Sequence, residues 1–146
     1  MSLVAVVVSL SLAATPELSY ADAYQQMEQS GRPLLVLVGA DWCPGCRTMK
    51  GSTVPELRKA GQLETVIYAQ VDTDKQPELS RRLMRGASIP QLLLFTRNGD
   101  GWRRTQLIGA QNSAEVRAFL EREIAAHQSK PGVTTRASND STARGR

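Results

Sequence analysis

An uninterrupted apolar run is the clearest structural signal in the chain. Residues 33–40 read PLLVLVGA, with no polar side chain that would mark a solvent-facing side. Continuous apolar runs of this length are typical of a central strand in a sheet that is covered on both faces. Residues 65–74, TVIYAQVDTD, are rich in β-branched side chains and predict a second strand that ends in a polar turn.

Two more strand-like segments, PQLLLFTRNGDG and WRRTQLIGA, follow each other directly. Asn98-Gly99-Asp100-Gly101 lies where they meet, and such Asn-Gly and Asp-Gly pairs are strong hairpin signals. The two segments therefore predict an antiparallel hairpin.

Four other segments have helical patterns, with a capping residue or proline near the start of most and glycine near several ends. The second of them predicts an interruption or kink around Gly51-Ser52 and Pro55. The alternation of helices and strands predicts an α/β fold, a central mixed sheet of about four strands with helices on both faces. The helical segments are residues 19–33, 46–61, 76–86 and 112–127.

The first residues have a different composition from the rest. Met1 to Ala14 is apolar and uncharged, too short for the roughly 20 residues of a membrane-spanning helix but typical of the apolar part of a secretory signal. We expect residues 1–18 to be a signal peptide and leader, cleaved between Ala13 and Ser19. The run lacks a Lys or Arg near Met1, and the alternative is a buried first strand.

Residues 127–146 contain four basic residues and one acidic residue, which account for most of the net charge of +4. This segment has almost no apolar content, so we expect a disordered basic tail after a domain over residues 19–126. The remaining charge is nearly balanced, and nucleic-acid binding is not inferred.

Both cysteines of the chain lie in Trp42-Cys43-Pro44-Gly45-Cys46. A bridge between Cys43 and Cys46 closes a very small loop and would stabilise the fold little, since the benefit grows with loop length. A zinc site needs four ligands, and the chain adds only His127 to the two cysteines. Inert core cysteines are the third alternative. The turn after an apolar strand favours a redox pair over all three.

A strand-to-helix turn would give the two sulfurs different roles. With Cys43 at the N-cap and Pro44 at the first helical position, Cys43 would project toward solvent, where the helix dipole favours a thiolate. Cys46 would lie beneath it, within bridging distance. Arg47 and Lys50 are weaker candidates for lowering the pKa of the nucleophile.

Two motifs together resemble the thioredoxin superfamily over residues 19–126. GADWCPGC after an apolar strand resembles the active-site turn of that family, and GASIPQLLLF resembles its second signature. The segment from Ser19 to Cys43 is most similar to the C-terminal extracytoplasmic domain of membrane thiol–disulfide interchange proteins and related exported proteins. The resemblance implies a thioredoxin fold.

The resemblance also implies roles for individual residues. Cys43 would be the nucleophile and Cys46 the resolving thiol. Pro90 would be a cis-proline, with backbone groups of Ile89 pairing with an extended substrate segment, and Trp42 would form part of the rim around Cys43. Pro44 and Gly45, between the cysteines, would tune the redox potential; they stand in the reverse of the usual Gly-Pro order.

One departure from the family concerns proton transfer. A buried aspartate commonly stands six residues before the first cysteine, where this chain has Leu37, and the usual basic partner is absent, with Tyr68 near its place. Cys46 must then lose its proton to water, to the departing substrate thiolate or to Asp41. We therefore predict slower resolution than in a typical reductase.

The leading hypothesis is an exported, monomeric protein-disulfide reductase or electron carrier that needs no cofactor or metal beyond the Cys43–Cys46 disulfide. Its partners would be protein thiols or disulfides and an electron donor or acceptor, such as a membrane thiol–disulfide carrier. The alternative is a non-catalytic binding module in which the cysteines form a redox-sensitive latch. A thiol peroxidase is disfavoured because its threonine-led single-cysteine motif is absent.

Overall fold

A computed structural model describes residues 17–128. Its strands β1 (Leu34–Gly39), β2 (Ile67–Asp72), β3 (Gln91–Asn98) and β4 (Gly101–Ile108) form one mixed sheet in the order β2-β1-β3-β4. β1 pairs in parallel with β2 and antiparallel with β3, and β3 pairs antiparallel with β4. The predicted fold class is confirmed. The elements are α1 (Tyr20–Ser30), β1 (Leu34–Gly39), α2 (Pro44–Thr48), a π-helical turn (Met49–Thr53), α3 (Val54–Lys59), β2 (Ile67–Asp72), α4 (Pro77–Leu83), β3 (Gln91–Asn98), β4 (Gly101–Ile108) and α5 (Ser113–Gln128).

The core lies on both faces of β1, all six residues of which are buried. Because side chains alternate along a strand, Leu35 and Leu37 face one side and pack in a cluster with residues of α3 and α5. Leu34, Val36 and Val38 face the other side, in a cluster with residues of α1 and the end of α4. A continuous apolar sequence is therefore required at the centre of this sheet.

The first helix begins and ends as its sequence predicts. The Ser19 side chain accepts a hydrogen bond from the N–H of Asp22, and Gly31 ends the helix at φ 71°. A left-handed residue at this position favours glycine, which has no Cβ to clash with the backbone.

The long helix after the cysteines is interrupted where Gly51-Ser52 predicted it. The interruption is the π-helical turn Met49–Thr53, which continues directly into α3. The buried Thr53 side chain donates to the carbonyl of Gln111 at 2.8 Å, so the turn is tied to the segment that precedes α5.

The predicted hairpin is also confirmed. Asn98 pairs with Gly101 at its end, and Gly99 has φ 61°. The same antiparallel register brings Gln91, the first residue of β3, opposite Ile108, the last residue of β4.

The expected leader and tail fall mainly outside the described residues. Of residues 1–18, Leu18 forms a parallel bridge with Ala69, and Glu17 accepts a hydrogen bond from the Gln70 side chain at 2.6 Å. Of residues 127–146, His127 and Gln128 belong to α5. Within residues 17–128, no helix is long and apolar enough to cross a bilayer.

Candidate active site

The two cysteines lie at the start of α2, just after the carboxyl end of β1. Cys43 is the N-cap and Pro44 occupies the first turn, as the sequence predicts. The Cys43 Sγ accepts a hydrogen bond from the backbone N–H of Cys46 at 3.3 Å. Because that N–H belongs to the first turn, it has no carbonyl partner within the helix, and the sulfur takes the place of one.

Both cysteines are free thiols, and they differ in exposure less than the sequence suggested. Cys46 is fully buried, while Cys43 is 6% exposed, so the expectation that Cys43 projects into solvent is wrong. Cys43 instead packs in a small cluster with Ala40, Cys46 and the partly buried Ile89. Only an edge of the Cys43 side chain is open to a partner.

A glycine at the end of β1 makes room for the second sulfur. A Cβ at Gly39 would lie 2.6 Å from the Cys46 Sγ, a distance that no side chain tolerates without a shift. Cys46 is therefore seated directly against the backbone of the central strand.

The loop before β3 faces the cysteines. The Ile89–Pro90 peptide bond is cis, and the Cys43 thiol lies 3.9 Å from the Ile89 carbonyl oxygen, to which it donates. A Cβ at Gly45 would lie 3.3 Å from Pro90 Cδ and 3.1 Å from Ala110 Cβ. The start of α2 packs closely against Pro90 because Gly45, one of the two residues between the cysteines, has no side chain.

The surface beside Cys43 is open on one side and has both apolar and polar side chains. Trp42 is 65% exposed, so it is not packed in the core, and its indole N–H donates to the Asp74 carboxylate at 2.9 Å. An open pocket of about 400 Å³ lies between Trp42 and the loop that carries Ile89. Its other lining residues are Thr73, Pro77, Ser80, Arg81, Met84, Gly86 and Ala87.

Burial dominates the electrostatics of Cys46. It raises the pKa of the Cys46 thiol to about 11, helped by a hydrogen bond with Cys43 and opposed by a backbone hydrogen bond from Ala40 and by the charge of Lys50. Burial has this effect because the thiolate loses more solvation than the neutral thiol.

Asp41 is not suited to accept the Cys46 proton. Its carboxylate pairs with Lys50 at 3.0 Å and with Lys75 at 3.2 Å, and these contacts lower the pKa of Asp41 below its usual value. Of the three acceptors considered from the sequence, water and the departing substrate thiolate are therefore favoured.

Arg47, the other nearby cation, stabilises the turn before α2 by binding backbone carbonyls of that turn. Its guanidinium donates to the carbonyls of Asp41 and Trp42, each at 3.2 Å. Lys50, by contrast, is one of the charges that act on Cys46. Arg47 and Lys50, both suggested by the sequence as cations near the nucleophile, therefore act on different groups.

Leu37 lies on the same side of β1 as Gly39 and is fully buried in an apolar cluster. The register places Gln70 opposite Leu37 and Tyr68 opposite Leu35. Tyr68 packs against the apolar cluster that contains Leu37, whereas the Gln70 side chain donates to Glu17. The buried surroundings of Leu37 therefore contain Tyr68 near the place expected for the basic partner.

Two residues of the site were missed from the sequence. Gly39 leaves space for Cys46, and its signal was a glycine that ends an otherwise β-branched and leucine-rich strand. Gln91 is fully buried beside Pro90, and its signal was a polar residue before the apolar run LLLF. Within residues 17–128, no group of three or more His, Cys, Asp or Glu side chains could hold a metal ion.

A family model described as thioredoxin-like matches residues 15–96. A thioredoxin of Alicyclobacillus acidocaldarius is 35% identical over 97 residues, which are 66% of this chain and 87% of that protein.

Two other relatives have lower identity. The thiol:disulfide interchange protein DsbD of Ralstonia nicotianae is 26% identical over 115 residues, 77% of this chain, but this chain spans only 19% of the DsbD length. Among solved structures, a thioredoxin from Thermus thermophilus superposes with a TM-score of 0.62 at 24% identity, covering 73% of this chain and 84% of that one. This likeness supports the fold.

Proposed function

This chain belongs to the thioredoxin-like family, whose members include thiol–disulfide oxidoreductases, and from that premise we propose that it exchanges disulfides with protein substrates through Cys43 and Cys46. The observation that carries the proposal is the position of the Cys43 sulfur. It lies between the N–H of Cys46 and the carbonyl of Ile89, at 3.3 and 3.9 Å.

The proposed reaction has two exchange steps. The Cys43 thiolate attacks a substrate disulfide, forms a mixed disulfide and releases one substrate thiolate, which takes up a proton. Cys46, after losing its proton, attacks the Cys43 sulfur, forms the Cys43–Cys46 disulfide and releases the second substrate thiolate. Two electrons pass to the substrate, and an external dithiol must reduce the bridge for another cycle.

The surface around the cysteines is suited to a protein substrate. Trp42 and Ile108 are the two large apolar side chains that are exposed within residues 17–128, at 65% and 51%. Trp42 precedes Cys43, and Ile108 is the register partner of Gln91, beside Pro90. An extended substrate segment beside Ile89 would contact this apolar surface while its disulfide reaches Cys43.

We assign the direction as reduction or electron transfer, in an extracytoplasmic compartment, with a membrane thiol–disulfide carrier as the class of electron donor. The apolar segment at residues 1–14 and the match to DsbD proteins support this assignment. Measurement of the Cys43–Cys46 reduction potential tests it. A value near that of thioredoxin, about −270 mV, is expected, whereas a value near about −120 mV would indicate an oxidase.

A binding module with a redox-sensitive latch is the second candidate, and the low exposure of Cys43 favours it. Reduction of insulin disulfides in the presence of dithiothreitol separates the two. Catalysed turnover by the wild-type protein that is lost in Cys43→Ser supports the oxidoreductase. A rate equal to that of dithiothreitol alone would support the latch.

A further inference from the structure

The loop that carries Ile89 and Pro90 has little backbone support of its own. Residues 85–88 are exposed, and within residues 17–128 none of their backbone groups pairs with another backbone group. Loops with so few internal contacts are usually mobile unless a side chain holds them. Yet this loop must hold the Ile89 carbonyl beside Cys43 and forms one wall of the pocket next to Trp42.

One buried side chain supplies the missing hydrogen bonds. The Gln91 Oε1 accepts from the N–H of Arg85 at 3.0 Å, and its Nε2 donates to the carbonyls of Arg85 and Ser88 at 2.9 and 2.8 Å. Gln106 Nε2 donates to the same Oε1 at 3.1 Å. Both donors and both acceptor positions of the Gln91 amide are therefore used.

The partners also fix the orientation of the amide. The Arg85 N–H can only donate, and the Arg85 carbonyl can only accept, so oxygen and nitrogen cannot be exchanged without losing both bonds. Gln91 is fully buried, where an unpaired amide would be costly, and the loop is thereby held in one position relative to β3.

We propose that Gln91 is a positioning residue for substrate recognition, a clamp that holds the Arg85–Ser88 backbone so that Ile89 and the pocket wall face the substrate. This inference rests on the proposed function. Gln91 touches neither sulfur in the hydrogen-bond network of the described residues, and the Cys46 N–H that supports the Cys43 sulfur at 3.3 Å does not belong to the loop. Loss of Gln91 should therefore affect binding of an extended protein segment more than reaction with a small disulfide.

The test compares two near-isosteric variants. Gln91→Met removes all four hydrogen bonds, whereas the matched control Gln106→Met removes one of them and leaves the three to the loop. For each protein, kcat and KM for insulin reduction in the presence of dithiothreitol are measured. The rate constant of the reduced protein with a small aromatic disulfide, which needs no docking along the loop, is measured for comparison.

Gln91→Met should lower kcat/KM for insulin about fivefold to tenfold through a higher KM. Its rate constant with the small disulfide should stay within about twofold of wild type. Gln106→Met should leave both rates unchanged. An unaltered insulin KM in a folded Gln91→Met protein would overturn the proposal, as would an equal loss with both disulfides.

Hydrogen exchange in the wild-type protein tests the clamp independently of activity and of variant folding. The Arg85 amide should be protected, and the neighbouring Ala87 amide should exchange at least about tenfold faster. Equal, rapid exchange at both would contradict the clamp. If no form of the protein reduces insulin but Arg85 is protected, the oxidoreductase proposal fails and the structural clamp remains.

Discussion

The Cys43 sulfur accepts a hydrogen bond from the backbone N–H of Cys46 at 3.3 Å. The backbone of the proposed resolving residue therefore holds the sulfur of the proposed nucleophile in place. That arrangement leaves the Cys46 side chain behind Cys43, against Gly39 and out of solvent. The Cys46 N–H therefore supports the sulfur that reacts in the first exchange step, and the second step depends on ionising a buried thiol.

Resolution of the mixed disulfide should accelerate with pH. Because burial is the main cause that raises the pKa of Cys46 to about 11, the shift should persist when Cys43 is bonded to substrate. The thiolate fraction, and the rate of resolution, should then rise about tenfold with each pH unit from pH 7 to 9. Single-turnover release of a substrate thiol measures this rate, and a plateau below pH 8 would contradict the prediction.

The charge of Lys50 should assist that ionisation. Lys50→Met is expected to slow resolution at pH 7 by about twofold to fivefold, since it removes a cation that stabilises the Cys46 thiolate. Lys75→Met is the matched control, because Lys75 binds the same Asp41 carboxylate but is 73% exposed. Equal rates in the two variants would show that Lys50 acts only through Asp41.

Leu37→Asp should accelerate resolution by supplying the missing buried base. Leu37 lies on the same face of β1 as Gly39, against which Cys46 is seated, so the carboxylate would face the Cys46 side. Burial would raise its pKa toward neutrality, where a general base is effective. We expect a gain of about tenfold at pH 7, with a loss of about 2–4 kcal/mol in unfolding free energy. Leu37→Asn controls for polarity without a base, and equal rates for Leu37→Asp and wild type would exclude this account of slow resolution.

Gly45→Ala should weaken reaction with proteins because its new methyl group crowds Pro90 and Ala110 at 3.3 and 3.1 Å. Displacing either neighbour by a few tenths of an ångström should lower the insulin rate constant about threefold to tenfold. Gly51→Ala is the control, since a Cβ there meets nothing within 4 Å and should stabilise the helix by about 1 kcal/mol. Unchanged kinetics in both variants would mean that the contact is unimportant.

Local signals predicted the elements of the fold well. The cap at Ser19, the stop at Gly31 and the turn at Asn98-Gly99 each act within a few residues, so their consequences can be read directly from the sequence. The position of Cys43 at the helix start has the same local origin.

Contacts between distant segments could not be predicted from the sequence. The pairing of Leu37 with Gln70 depends on parallel register, and the pairing of Asp41 with Lys75 depends on how two loops meet. The burial of Cys43 likewise results from packing against Ile89, 46 positions later. Sequence patterns therefore identified the proposed redox pair. The burial and charges that set the pKa of Cys46 could be seen only in the structure.

Covalent trapping tests the central claim most directly. Reduced Cys46→Ala protein is mixed with a peptide that contains a disulfide, quenched with acid and analysed by intact mass and peptide mapping. Because Cys46 can no longer displace the substrate, a mixed disulfide at Cys43 should accumulate, and the Cys43→Ser variant should form none. The absence of any adduct at Cys43, with a folded protein and a reactive peptide, would contradict disulfide exchange as the function of this site.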